Sequence, residues 1–203
     1  MEYSDNHILV RGTLPELPRY SHENHGASFL RLTLEVPRLS GTLDLLPVVV
    51  PATLLEGLCP EPDMGLQIEG QIRSHNQLRE DGRHLQIFLF ASDIRPDEGE
   101  PENDVYLRGT VCRQPVLRRT PLGREICDLM LAVPRAYHRA DYLPCILWGS
   151  TAQEAARCHT RDSLELWGRL QSRNYTKLLD GVPETRTAYE VSAMTARIGA
   201  EPD

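Results

Sequence analysis

Lysine is nearly missing from this chain. Lys177 is the only one among 203 residues, so almost every positive charge is a guanidinium, a planar fork that can stack on flat rings and pair with phosphate. Long apolar runs are missing too: no stretch of about 18 apolar residues occurs, which excludes a membrane-spanning helix by length. The opening M-E-Y-S-D-N-H has neither the basic region nor the apolar stretch of a secretory signal, so a cytoplasmic protein is expected. Cys59, Cys112, Cys127, Cys145 and Cys158 are scattered, with no C-x-x-C. An odd, unpatterned set argues against a disulfide framework or a structural zinc site, and these thiols are expected to pack as small apolar groups. G-x-S-x-G, P-loop and H-E-x-x-H patterns are absent as well. His22-Glu23-Asn24-His25 and Cys158-His159 are the only hints of paired ligands or nucleophiles. Two His in a polar turn are ordinarily solvated, and nucleophilic chemistry needs geometry across the fold that a Cys–His neighbour pair does not supply. The expectation is no catalysis, no cofactor and no metal.

What is present is an asymmetry and a repeat. Residues 1–100 carry 8 Arg against 16 acids, whereas residues 101–203 carry 14 basic groups against 13 acids. The overall charge of −7 therefore belongs to the first half. An offset of 97 residues pairs Arg11-Gly12-Thr13 with Arg108-Gly109-Thr110, and Val36-Pro37-Arg38 with Val133-Pro134-Arg135. It also pairs D-L-L-P at 44–47 with D-Y-L-P at 141–144. After small shifts, Leu66 to Ser74 answers Leu164 to Ser172, and Asp81-Gly82 answers Asp180-Gly181. A constant offset over this many positions marks an internal repeat. Between the copies, D-I-R-P-D-E-G-E-P-E-N-D at 93–104 reads as an exposed acidic linker. The expected division is 1–96, a linker at 97–103, a second unit at 104–198 and a short tail at 199–203.

Each copy reads as mostly strand. In the second, the pattern predicts strands at 104–113, 125–133, 142–148, 164–175 and 185–198. A helix is expected at 151–158, with Ser150 or Thr151 as its N-cap. Strand, strand, strand, short helix, strand, strand in about 95 residues fits a five-stranded barrel. The expected fold is all-β: two tandem OB-fold Greek-key barrels, each with a small helix.

Side chains alternate along a strand, so Tyr142 and Trp148 share one face. On the next strand Leu164, Leu166, Gly168 and Leu170 suit the barrel interior, leaving Trp167, Arg169, Gln171, Arg173 and Tyr175 on the outside. Rings interleaved with guanidinium groups suit a single-stranded nucleic acid, since every base has a π-face and every phosphate a charge. A core role for Trp148 is the alternative. The first copy, however, keeps the skeleton with Pro51 at that position and no compensating change nearby, which points to surface function.

At these residues the second copy resembles the bacterial single-stranded-DNA-binding protein family. The motifs are Y-L-R-G-T-V at 106–111, P-V-L-R-R-T-P-L-G at 115–123, D-L-M-L-A-V-P-R-A-Y at 128–137, D-Y-L-P-C-I-L-W-G at 141–149 and L-E-L-W-G-R-L-Q-S-R-N-Y at 164–175. The resemblance implies sequence-independent binding of single-stranded DNA in replication, repair or recombination. Four stacking positions are implied at Tyr137, Tyr142, Trp148 and Tyr175, and their first-copy counterparts are Ser40, Leu45, Pro51 and Gln77. Trp167, Arg135, Arg169, Arg173 and Lys177 complete the expected site. The connection from Arg135 to Asp141 is shorter than is usual in the family, and no acidic, hydrophobic tip follows G-A-E-P-D at 199–203. Four barrels assembled as a homodimer are implied, with a replication or repair protein as a possible partner of the acidic first copy. The competing expectation is an OB-fold interaction module, of the primosome-accessory kind, with weak DNA binding. Covering of the four rings by the acidic copy would favour that module.

Overall fold

In a computed structural model of the chain, residues 5–79, 82–179 and 182–199 are described. The first six strands are β1 (Asn6–Thr13), β2 (Arg19–Asn24), β3 (Ala27–Pro37), β4 (Leu43–Pro51), β5 (Gly65–Arg79) and β6 (Gly82–Pro96). The second six are β7 (Glu102–Val111), β8 (Val116–Arg119), β9 (Glu125–Arg135), β10 (Arg139–Trp148), β11 (Ser163–Leu179) and β12 (Val182–Ile198).

Strict alternation decides which side chains go inward. Ile8 and Val10 on β1, Leu32 and Leu34 on β3, and Leu46 and Val48 on β4 are all buried, with their neighbours less so. The inward faces close on themselves. β1 pairs with β5 and meets β3 at Thr13↔Glu35, β3 pairs with β4, β4 runs parallel to β6, and β6 pairs with β5. The second set repeats this circuit through β7, β9, β10, β12 and β11. Each circuit is the expected five-stranded barrel. Gly12 and Gly109 permit the closure: a Cβ there would lie 2.2 Å from the Glu35 carbonyl oxygen and 2.4 Å from that of Ala132. β2 and β8 are short outer strands on β3 and β9, in segments where the sequence pattern predicts no strand.

Three local expectations need correction. The second barrel has an α-helix, α1 (Gly149–Ala155), but among the described residues the first has only a 3-10 turn at Ala52–Leu55, ended at once by Gly57 with φ +81°. Neither Ser150 nor Thr151 caps α1; it follows Trp148 directly and is held by burial of Ala152 and Ala155. The connection between barrels is 97–101, because Glu102 and Asn103 already belong to β7. It is also pinned: Arg11 Nε lies 3.0 Å from Asp97 Oδ1, and Arg11 Nη1 donates to the Glu100 carbonyl at 2.9 Å. Of the expected turns, residues 81, 180 and 181 lie outside the described residues, as do residues 200–203 of the tail.

The barrels join edge to edge. β1 and β7 pair antiparallel from Asn6↔Leu107 to Arg11↔Glu102. Ile8 stands opposite Val105, its own counterpart at the offset of 97, so the junction is an isologous contact made within one chain. Where β1 leaves β5, the Asn6 amide replaces the missing ladder, donating to the Ile72 carbonyl at 2.7 Å and accepting its N–H at 2.8 Å. Asn103 does the same for Leu170 at 2.8 and 2.9 Å.

Two buried carboxylates cross the junction. Asp44 accepts the Ser172 N–H at 2.6 Å and two bonds from Arg38, whose Nη2 also donates to the Ser172 carbonyl at 2.8 Å. Asp141 accepts the Ser74 N–H at 2.8 Å and pairs with Arg73 at 2.9 Å. Burial opposes ionisation of Asp44, but the hydrogen bonds from Arg38 and Ser172 more than offset it and hold the carboxyl below its ordinary value.

The cysteines are free among the described residues. Cys127, Cys145 and Cys158 are buried, and burial pushes the Cys127 thiol up to about 11. No helix of the described residues is long and apolar enough to cross a membrane.

Candidate nucleic-acid interface

Trp148 ends β10. Leu143, Cys145 and Leu147 face the core, so Tyr142, Pro144, Ile146 and Trp148 share the outer face. The Trp148 ring is half-buried and fixed in orientation by its Nε1, which donates to Ser192 Oγ at 3.0 Å. Beside it runs a groove of about 830 Å³ along the second barrel. Ile126 and Ile146 contribute apolar lining, and Arg118, Arg124, Arg169 and Arg173 supply charge. Arg38 and Ser40 of the first barrel also line it.

Charge in the groove is strongly one-sided. Among the described residues five arginines line it against two acids, Glu125 and Glu190. Glu190 is already engaged by the Gln171 amide at 2.9 Å and by Arg173 at 3.7 Å. Arg118 is bound by Asp128, while the Arg169 Nε is buried with no hydrogen-bond partner among the described residues. An oriented indole beside guanidinium groups can stack a planar base and hold its phosphates.

The expected site residues do not all meet here. Arg169, Gln171 and Arg173 share the outer face of β11 with Tyr175, as alternation predicts; the Arg173 guanidinium carbon lies 5.9 Å from the Tyr175 ring centre. Lys177 is farther along the same arm, opposite Glu184. Trp167 does not line the groove. It packs against Tyr106, its cross-strand partner on β7, at 5.3 Å with Arg197 over its ring at 5.6 Å. Tyr142 and Tyr137 lie toward the other barrel. Six residues of strand separate Tyr142 from Trp148 by about 20 Å, and the Tyr142 N–H donates to Ser74 Oγ at 2.8 Å. Tyr137, at φ +62° in the β9–β10 turn, is 91% exposed. Arg135, at the base of that turn, lies 3.9 Å from Asp141. The acidic barrel does not cover the rings: Tyr142 is 46% and Tyr175 37% exposed.

Sequence reasoning missed Arg38, Arg118, Arg124 and Ser192. It also mistook an exchange for a simple loss. Gln71 pairs with Phe90 in the first barrel just as Arg169 pairs with Ser192 in the second, each directly after its register shift at Gly70 or Gly168. The partner of Trp148 thus corresponds to Phe90, at an offset of 102 because the β11–β12 hairpin is longer. The compensating change for Pro51 does exist, on the last strand of the barrel.

Residues 102–198, which are β7 to β12, match the model of the single-strand binding protein family. The single-stranded DNA-binding protein B of Bacillus subtilis is 35% identical over 80 residues, covering 36% of this chain and 71% of that protein. The chain belongs to the single-strand binding protein family. Within that family, the Bacillus cereus single-stranded DNA-binding protein is 38% identical over 80 residues, 36% of this chain and 47% of its own. That of Thermus thermophilus is 33% identical over 123 residues, 53% of this chain and 44% of its own. The chain spans about half the length of most of these relatives. The crystal structure of the wild-type Thermus aquaticus single-stranded DNA binding protein shares the fold, with a TM-score of 0.79 at 23% identity, over 98% of this chain and 94% of that one.

Proposed function

We propose that this family member binds single-stranded DNA without sequence preference, in replication, repair or recombination, and does so without a catalytic step. The observation that carries the reading is the Trp148 indole, oriented by Ser192 in a groove lined by five arginines. Bases stack on Trp148 while Arg124, Arg169 and Arg173 meet phosphates, and Tyr175 beside Arg173 extends the path along β11. Arg38 brings a first-barrel guanidinium to the same groove. Tyr137, Tyr142 and Arg135 serve the strand beyond, toward the junction, and Lys177 adds charge on the hairpin arm. Trp167 belongs instead to the outer β7–β11–β12 surface, where a second copy would dock to bring four barrels together. The acidic first half offers a surface to a replication or repair protein, and the cytoplasm is the expected compartment.

Tryptophan fluorescence tests this. Titration with oligo-dT at two salt concentrations should quench the emission with an affinity that falls as salt rises. Absence of both quenching and binding at low salt would remove the reading in favour of a protein-interaction module.

A further inference from the structure

We propose that the first barrel carries a second face for single-stranded DNA, built from rings at positions other than those the family resemblance marks. All three phenylalanines of the chain, Phe29, Phe88 and Phe90, lie in this barrel. On β6, Ile87, Leu89 and Ala91 are buried, so Phe88 and Phe90 alternate outward and remain partly exposed. Phe29 on β3 stands in register with Pro51, and its ring lies 5.9 Å from that of Phe90. The exposed His22 imidazole stacks on Phe29 at 4.9 Å with 10° between planes.

Strand by strand this face overlays the Trp148 groove. The pairings β3–β4 and β5–β6 put Phe29 where the second barrel has Ile126, Pro51 where it has Trp148, and Phe90 where it has Ser192. Phe88 takes the place of Glu190, since it lies opposite Arg73 as Glu190 lies opposite Gln171. That exchange removes a carboxylate and adds a ring, which favours an anionic ligand with π-faces over a cationic one.

The junction supplies the rest. As Arg38 and Ser40 edge the second barrel's groove, their counterparts Arg135 and Tyr137 sit on a hairpin fastened to the first barrel through Asp141 and Ser74. Ser74 is next to Arg73, the residue opposite Phe88. Tyr142 and Trp148 lie on one face of a single strand, so DNA leaving the Trp148 groove along β10 arrives at Tyr142 and then at Phe88. This continuity commits the occupant to the same single strand and rests on the function proposed above.

The test uses the whole chain. Both tryptophans are in the second barrel and Trp148 lines its groove, so quenching reports that barrel, whereas the number of nucleotides occluded per chain on poly-dT reports both barrels. In a folded F88A/F90A variant, affinity for a long oligo-dT should fall about tenfold and fewer nucleotides should be occluded, with quenching of Trp148 still visible. A folded variant with wild-type affinity and occlusion would overturn the second face while leaving the first groove standing. Should the variant not fold, irradiation of the wild-type chain on 5-iodouracil-substituted oligo-dT decides. Cross-links in peptides carrying Phe29, Phe88 or Phe90 support the face, and cross-links confined to the second barrel overturn it. A wild-type chain that binds no oligo-dT would remove both proposals together.

Discussion

In the second barrel a large ring ends β10 and a serine faces it from β12; in the first, a proline ends β4 and a phenylalanine stands on β6. The two walls have exchanged their bulk. A groove between neighbouring strands can be lined from either wall, so position-by-position comparison of the copies sees four rings vanish where rings have in part moved. The charges moved as well: Arg118, Arg169 and Arg173 of the second groove correspond to His22, Gln71 and His75. The junction then gives each barrel an arginine-bearing edge from the other, Arg38 in one direction and Arg135 in the other.

The largest effect should come from what the barrels share. Asp44→Ala and Asp141→Ala each leave a partly buried guanidinium and a backbone N–H without their carboxylate, at a cost of about 3–5 kcal/mol in urea unfolding. Similar losses would show that both carboxylates hold the junction equally, although Asp44 takes its guanidinium from its own barrel and Asp141 from the other; a loss confined to one variant would assign the lock to that side. Next, Trp148→Ala should weaken oligo-dT binding by about 1–3 kcal/mol, whereas Pro51→Ala should change it little. Equal effects would rule out unequal use of the two positions. Smaller still, Arg169→Ala should reduce the dependence of log affinity on log salt by about 0.7, while Gln71→Ala, at the corresponding place, removes no charge and should leave that slope unchanged.

The smallest effect is in pH. Asp44 has a folded-state value held below its ordinary 3.8, so its contribution to stability is complete above that value. It fades as pH falls through the lowered one. Urea midpoints followed from pH 5 downward should show this loss in the wild type and not in Asp44→Asn.

Much of this was legible beforehand. The offset of 97 told of two copies, and the period of two told which side of each strand is buried, because both depend on residues close in sequence. Leu164, Leu166 and Leu170 face inward as alternation requires. Local chemistry misled where tertiary packing replaced it: Ser150 and Thr151 are good caps, yet α1 is held by buried alanines. The β8 segment, V-L-R-R, has no buried face and so no alternation to read.

From the sequence alone followed the all-β class, the two barrels, the outward setting of Trp148 and the guanidinium-rich character of its strand neighbours. The tertiary structure decided which groups share a groove. Arg38 comes to Trp148 across 110 residues of chain, and Tyr142, six residues from Trp148, turns to the other barrel. That partition depends on one register, Ile8 opposite Val105, which brings each barrel's β-hairpin against its neighbour. Such a register is set by edges meeting in space, so no spacing along the chain encodes it directly.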